Sequence, residues 1–183
     1  MRILVTTFIT LIVARSAHAE PAWRLGAAGV SRFDGAGDGG VGFALQAMRL
    51  RGDNAFGLVL EHTWLLNPAD ADELDVRQLD ALAVARLGTP FALELAGGLA
   101  VYHGRVDIPK REGCFGCGAY GGSSVAPVVR LGVVWSQALG RGVTLEVGAR
   151  VVGTRAVLTK TDVHNFDPQP FTLQSSIGFS RAL

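Results

Sequence analysis

From Phe171 to Leu183 the chain alternates with a period of two. Phe171, Leu173, Ser175, Ile177, Phe179, Arg181 and Leu183 share one face, and Thr172, Gln174, Ser176, Gly178, Ser180 and Ala182 share the other. Strand side chains point alternately to opposite sides, so this is a strand with one greasy face and one small, polar face. A soluble barrel or sandwich hides the greasy face inside. A membrane barrel turns it to lipid and keeps the polar face in its lumen.

Nothing in the sequence offers the roughly 18–20 apolar residues of a membrane-spanning helix, although 49% of residues are hydrophobic. The longest apolar run, Ile3 to Ala14, follows Arg2 and leads to Ala17-His18-Ala19 before Glu20 and Pro21. That pattern predicts a secretory signal peptide over residues 1–19, cleaved after Ala19, and one domain over 20–183. An uncleaved anchor or a buried helix is the alternative. Cleavage removes Arg2 and Arg15, leaving 17 − 2 = 15 basic against 16 acidic residues. Such a balance excludes an electrostatic nucleic-acid binder.

After Pro21, apolar alternation and turn signals recur at regular spacing. Strands are predicted at 22–33, 41–51, 55–65, 76–87, 91–106, 125–137, 143–154 and 171–183. The second, fourth and sixth are followed by short links, Gly52-Asp53-Asn54, Gly88-Thr89-Pro90 and Leu139-Gly-Arg-Gly142. The other links are longer: 34–40, 67–75, the glycine-rich 107–124, and 155–170. Eight strands of about ten residues suit a small closed barrel that spans a membrane. The alternation of short and long links predicts periplasmic turns, external loops and both termini on the periplasmic side. The fold class expected is all-β, an eight-stranded antiparallel up-and-down transmembrane β-barrel.

Aromatic residues gather at strand ends. Trp23, Phe56, Phe91, Trp135 and Phe179 fall near the turn end, and Phe33, Phe43, Trp64 and Phe171 near the loop end. Two girdles with aliphatics between them match the preference of aromatic rings for membrane interfaces. On the opposite face lie Arg24, Glu61, Asp80, Arg86, Glu94, Arg130, Glu146 and Arg150, four basic and four acidic groups. The interior of an eight-stranded barrel is just wide enough for side chains to fill it, and buried charges there must pair. A lipocalin-like soluble barrel inverts both faces, with these charges as its solvated surface.

The whole predicted mature chain resembles the small eight-stranded outer-membrane proteins of Gram-negative bacteria, of the OmpA transmembrane domain, OmpX and opacity-protein type. The closing Ile177-Gly-Phe179-Ser-Arg-Ala-Leu183 is similar to the carboxy-terminal signal read by the outer-membrane assembly machinery, with Leu183 where Phe is commonest. The resemblance implies an outer-membrane location, with lipid and the assembly machinery as partners. No peptidoglycan-binding domain is seen to follow, so cell-wall tethering is not expected.

Cys114-Phe-Gly-Cys117, in the predicted loop 107–124, is the sharpest local motif. It suits a redox couple, half a zinc site or a small disulfide staple. No helix amino terminus is predicted there to activate a thiol, and zinc needs two more ligands, for which only His103 and His164 offer themselves. In an exported chain the staple is the expectation, rigidifying a loop tip. A lipid-modifying rim site would draw on His164, Asp167 and Ser123 or Ser124, but their spacing lacks the His-x-Ser pattern of the deacylase family. A solvated loop explains the same residues. No cofactor is expected. The best reading is a non-enzymatic barrel with a structural, interaction or surface-exposed role and a lumen closed by charged pairs. A narrow gated channel, an outer-leaflet lipid enzyme and a soluble carrier of apolar ligands are the alternatives.

Overall fold

A computed structural model of the chain describes residues 22–33, 39–66, 73–108, 118–154 and 170–183. The predicted signal peptide and Cys114, Cys117, His164 and Asp167 lie outside them. Eight strands follow one another: β1 Trp23–Phe33, β2 Gly39–Arg51, β3 Asn54–Leu66, β4 Glu73–Leu87, β5 Phe91–Ile108, β6 Gly118–Gly140, β7 Val143–Thr154 and β8 Phe171–Ala182. Each pairs antiparallel with its chain neighbours, and β1 pairs β8 to close the barrel.

The stagger of the ladder sets the shape. Stepping straight across from Trp23 leads through Arg49, Phe56, Ala85, Leu95, Leu131, Val151 and Leu173, and returns to β1 at Phe33 rather than Trp23. A shift of ten residues over eight strands tilts the strands about 40° and gives a radius of about 8 Å. That leaves space for side chains and little else.

The two faces are inverted relative to a soluble barrel. Leu58, Val129 and Ile177 are 63%, 61% and 60% exposed, whereas Glu94, Glu61 and Arg130 are 0%, 1% and 4% exposed. Burying apolar surface is the main drive of folding in water, so an exposed belt of Leu, Val, Ile and Phe requires an apolar surrounding.

Strand ends differ from the sequence reading in places. Gly118–Ser124, read as loop from glycine and serine content, belongs to β6. The cause is a non-local partner: β5 pairs it residue by residue, with Arg105 opposite Gly121 and His103 opposite Ser123. The same pairing carries β5 to Ile108, and β4 begins at Glu73 opposite Asp107, inside the predicted loop 67–75. The predicted turn over 139–142 narrows to Arg141-Gly142, where Gly140, Arg141 and Gly142 all have positive φ (99°, 52° and 76°) after a register shift at Ala138. Two of the three are glycine, which adopts that region without steric cost.

Candidate functional site

The lumen is where the chemistry lies. Inward positions alternate with the outward-facing ones along the strands, so the register alone directs all eight predicted charges inward. The structure adds a ninth that the sequence reading missed, Arg32, on the same face of β1 as Arg24. Its signal was its even spacing from Arg24.

Two clusters form. Toward the loop end, Arg32 donates to Gln78 Oε1 (2.7 Å), Glu61 Oε1 (2.6 Å) and Asp80 Oδ2 (2.5 Å). Gln174 Nε2 and Thr63 Oγ1 also donate to Glu61 Oε1, at 2.6 and 3.4 Å, and Gln78 Nε2 donates to Asp80 Oδ1 at 2.7 Å. Toward the turn end, Glu94 receives Arg86 Nε at 2.8 Å and Arg150 Nε at 2.6 Å. Glu146 receives Arg86 Nη1 (2.8 Å), Gln46 Nε2 (2.7 Å) and Ser180 Oγ (2.5 Å). Arg150 Nη1 also donates to Ser176 Oγ.

Arg130 joins the two clusters. Its Nη1 donates to Glu61 Oε2 at 2.8 Å, and its Nε lies 3.1 Å from Glu94 Oε1. Arg130 thus faces both Glu61 and Glu94, while Glu146 pairs with Arg86. Arg24 stands apart near the mouth at the turn end, 3.8 Å from Glu146 and partly exposed.

Gln46, Gln78, Gln174, Ser176 and Ser180 complete the network. Charge pairs buried this deeply need their other hydrogen-bonding groups satisfied, and these neutral side chains take up several of them, while Arg32 Nε and Arg130 Nε stay without a partner. Apolar groups, among them Met48, Leu82, Val84, Tyr102 and Val152, fill the space between the charges and the wall. The result is a plugged interior.

The nine girdle aromatics face outward, whereas Tyr102 is buried in the lumen. Trp23, Phe33, Phe43, Phe56, Trp64, Phe91, Phe171 and Phe179 are exposed, Trp135 is half-buried, and Phe91 stands opposite Trp135 on the β5–β6 ladder. At the loop end Phe43 stacks on His62 with centroids 5.6 Å apart, and Trp64 meets His62 edge-on at 4.3 Å.

Among the described residues, no three metal-ligating side chains gather. Ser123 and Ser124 point to opposite faces: Ser123 Oγ is 2.9 Å from His103 Nδ1 on the outside, and Ser124 Oγ is buried without a partner.

No protein-family model and no curated protein matches the chain. Solved structures do. Surface protein A of Neisseria (NspA) is 19% identical with a TM-score of 0.54, over 88% of this chain and 96% of that one. A major outer-membrane protein of Thermus thermophilus is 12% identical with a TM-score of 0.64, over 90% of this chain and all of that one. Ail, the attachment invasion locus protein of Yersinia pestis, is 11% identical with a TM-score of 0.55, over 89% and 97%. With its closed barrel of eight antiparallel strands, the chain has the fold of the small outer-membrane β-barrels.

Proposed function

We propose that this chain is an outer-membrane protein whose barrel is a plugged platform and whose role is played at the surface by its loop end. The carrying observation is the pairing of an exposed apolar belt with a lumen blocked by Arg130, which ties Glu61 to Glu94 across the interior. An open pore of this radius would need that bridge absent. The names of two neighbours, a surface protein and an attachment protein, support a surface role. Export by cleavage after Ala19, contact with outer-membrane lipid and recognition of β8 by the assembly machinery belong to the same proposal. The disulfide staple at Cys114 and Cys117 belongs to it as well.

The test is membrane fractionation followed by gel mobility with and without boiling, then planar-bilayer recording. The proposal expects outer-membrane recovery, a heat-dependent mobility shift and no steady conductance. Recovery as a soluble protein of single mobility would overturn the membrane reading. A steady conductance would overturn the plug and favour the gated channel.

A further inference from the structure

Among the described residues, outward-facing charge is confined to the two rims of the barrel. At the turn end the outward cations are Arg49 and Arg51 of β2, Arg141 of the β6–β7 turn and Arg181 of β8, all exposed. They are not spread around the rim. Arg141 adjoins β8, because Gly142 O accepts the Ala182 N–H at 2.9 Å, and β8, β1 and β2 follow one another on the ladder. The four therefore share one arc, centred on the β1–β8 seam. Across the barrel, the turn ends of β4, β5 and β6 present Leu87, Phe91 and Leu139 outward and no described cation.

Acidic side chains do not balance the arc. Glu146 and the other lumen carboxylates face inward. Asp53, in the β2–β3 turn, leans away from the seam toward the β4–β5 turn, where Thr89 Oγ1 donates to it at 3.4 Å. Arg51 already has a contact of its own, which leaves Arg49, Arg141 and Arg181.

Trp23 sits between two of these. Arg49 is its direct partner on β2, and Arg181 is its diagonal neighbour on β8, opposite Leu25. Direct and diagonal cross-strand neighbours are within reach of long side chains. The two arginines stand about 10–12 Å apart at the backbone, a gap that their side chains can close on one phosphate. Phe56 lies on the other side of Arg49, and Phe179 lies two residues from Arg181 toward the apolar belt. Beyond Leu25, β1 shows Ala27 and Gly29 between Phe179 and Ile177 of β8 and Leu45 and Phe43 of β2. Cations, aromatic rings and a shallow apolar furrow thus share one continuous face.

A soluble polyanion would match the charge of this face but not its apolar part. An anionic phospholipid matches both, with its phosphate at the depth where aromatic rings sit and its chains on the belt. We propose that the seam side of the turn end binds an anionic phospholipid of the periplasmic leaflet. Arg49 and Arg181 hold the phosphate across Trp23, Arg141 adds to the attracting field, and an acyl chain lies against Ala27 and Gly29. The site rests on the membrane placement proposed above.

Two single-tryptophan barrels in phosphatidylcholine vesicles test it. One keeps Trp23 (Trp64→Phe, Trp135→Phe). The other keeps Trp135 (Trp23→Phe, Trp64→Phe), whose ladder neighbours are Phe91 and Val147. Each is quenched by increasing fractions of phosphatidylglycerol or phosphatidylcholine, both brominated near the headgroup, which gives the relative affinity for the two lipids. Trp23 should prefer phosphatidylglycerol at least about fivefold, the scale of one arginine beside an anionic surface. Arg49→Gln with Arg181→Gln, both at exposed positions, should abolish that preference and keep the heat-dependent gel shift. Trp135 should show no preference. A preference equal at the two tryptophans, or one that survives the double substitution, would overturn the site and leave the membrane placement standing. If neither lipid quenched either tryptophan, the placement would fall and the site with it. If Trp23 ignored lipid charge but its emission shifted with poly-glutamate, the arginines would belong to a soluble acidic partner and the lipid would be overturned.

Discussion

Glu61 and Asp80 face each other directly on the β3–β4 ladder, and Arg32, reaching across the lumen from β1, bonds to both. Like charges directly opposite one another destabilise a sheet, so this pair depends on the arginine between them. Arg32→Met should therefore cost about 3–5 kcal/mol, because it leaves two buried carboxylates without their shared cation. Adding Asp80→Asn should restore part of the loss. Urea unfolding of the barrel in phosphocholine vesicles measures both, and a cost near that of an exposed substitution, about 0.5 kcal/mol, would show that Arg32 does not hold the pair.

Arg150 occupies the space that a side chain at Gly148 would need. A Cβ there would stand 2.7 Å from Arg150 Cζ, and one at Gly132 would stand 2.5 Å from Arg150 Cγ. Gly148→Ala should push the guanidinium off Glu94 and cost about 3 kcal/mol, the scale of a broken buried pair. Gly122 has nothing within 4 Å of its would-be Cβ, so Gly122→Ala should shift stability by no more than about 0.5 kcal/mol. The same unfolding assay compares the two, and equal costs would remove the special role of Gly148.

The exposed belt makes a prediction on which membrane and soluble barrels disagree. Leu99 lies mid-strand on the outer face and Leu139 near the turn end, both exposed. In lipid, Leu99→Arg should cost about 2–4 kcal/mol and Leu139→Arg at most about 1 kcal/mol. If water rather than lipid surrounded this outward face, both would be close to neutral. Unfolding in vesicles decides.

Trp23, Trp64 and Trp135 all face outward near strand ends. Their fluorescence should be quenched more by lipids brominated close to the headgroup than by lipids brominated at the chain ends, as interfacial rings require. The reverse order would place the girdles at the wrong depth.

The legible part of this molecule was the part set by local alternation. Strand number, the outward set from Trp23 to Phe179 and the inward direction of Glu94 or Arg130 follow from parity alone. Arg86 and Glu94 could also be paired from a short turn, since they are ladder neighbours in one hairpin. Arg32 with Asp80 could not. Their meeting depends on how far the ladder has slipped after a full circuit, which no single strand records. The glycine-rich start of β6 was hidden for a related reason, since its order comes from Arg105, His103 and their neighbours on β5.

The closing seam has a kinetic consequence. Ala27 on the first strand pairs with Phe179 on the last, so the ladder that completes the barrel joins opposite ends of the chain. Contacts so distant in sequence form slowly, because loop closure must precede the reward. Until β8 arrives, β1 and β7 each present an open edge of unpaired backbone, which lipid cannot satisfy and another chain can. The seam makes folding all-or-none at its final step, and it makes the last strand the point at which an assembly catalyst has most to gain by holding the chain.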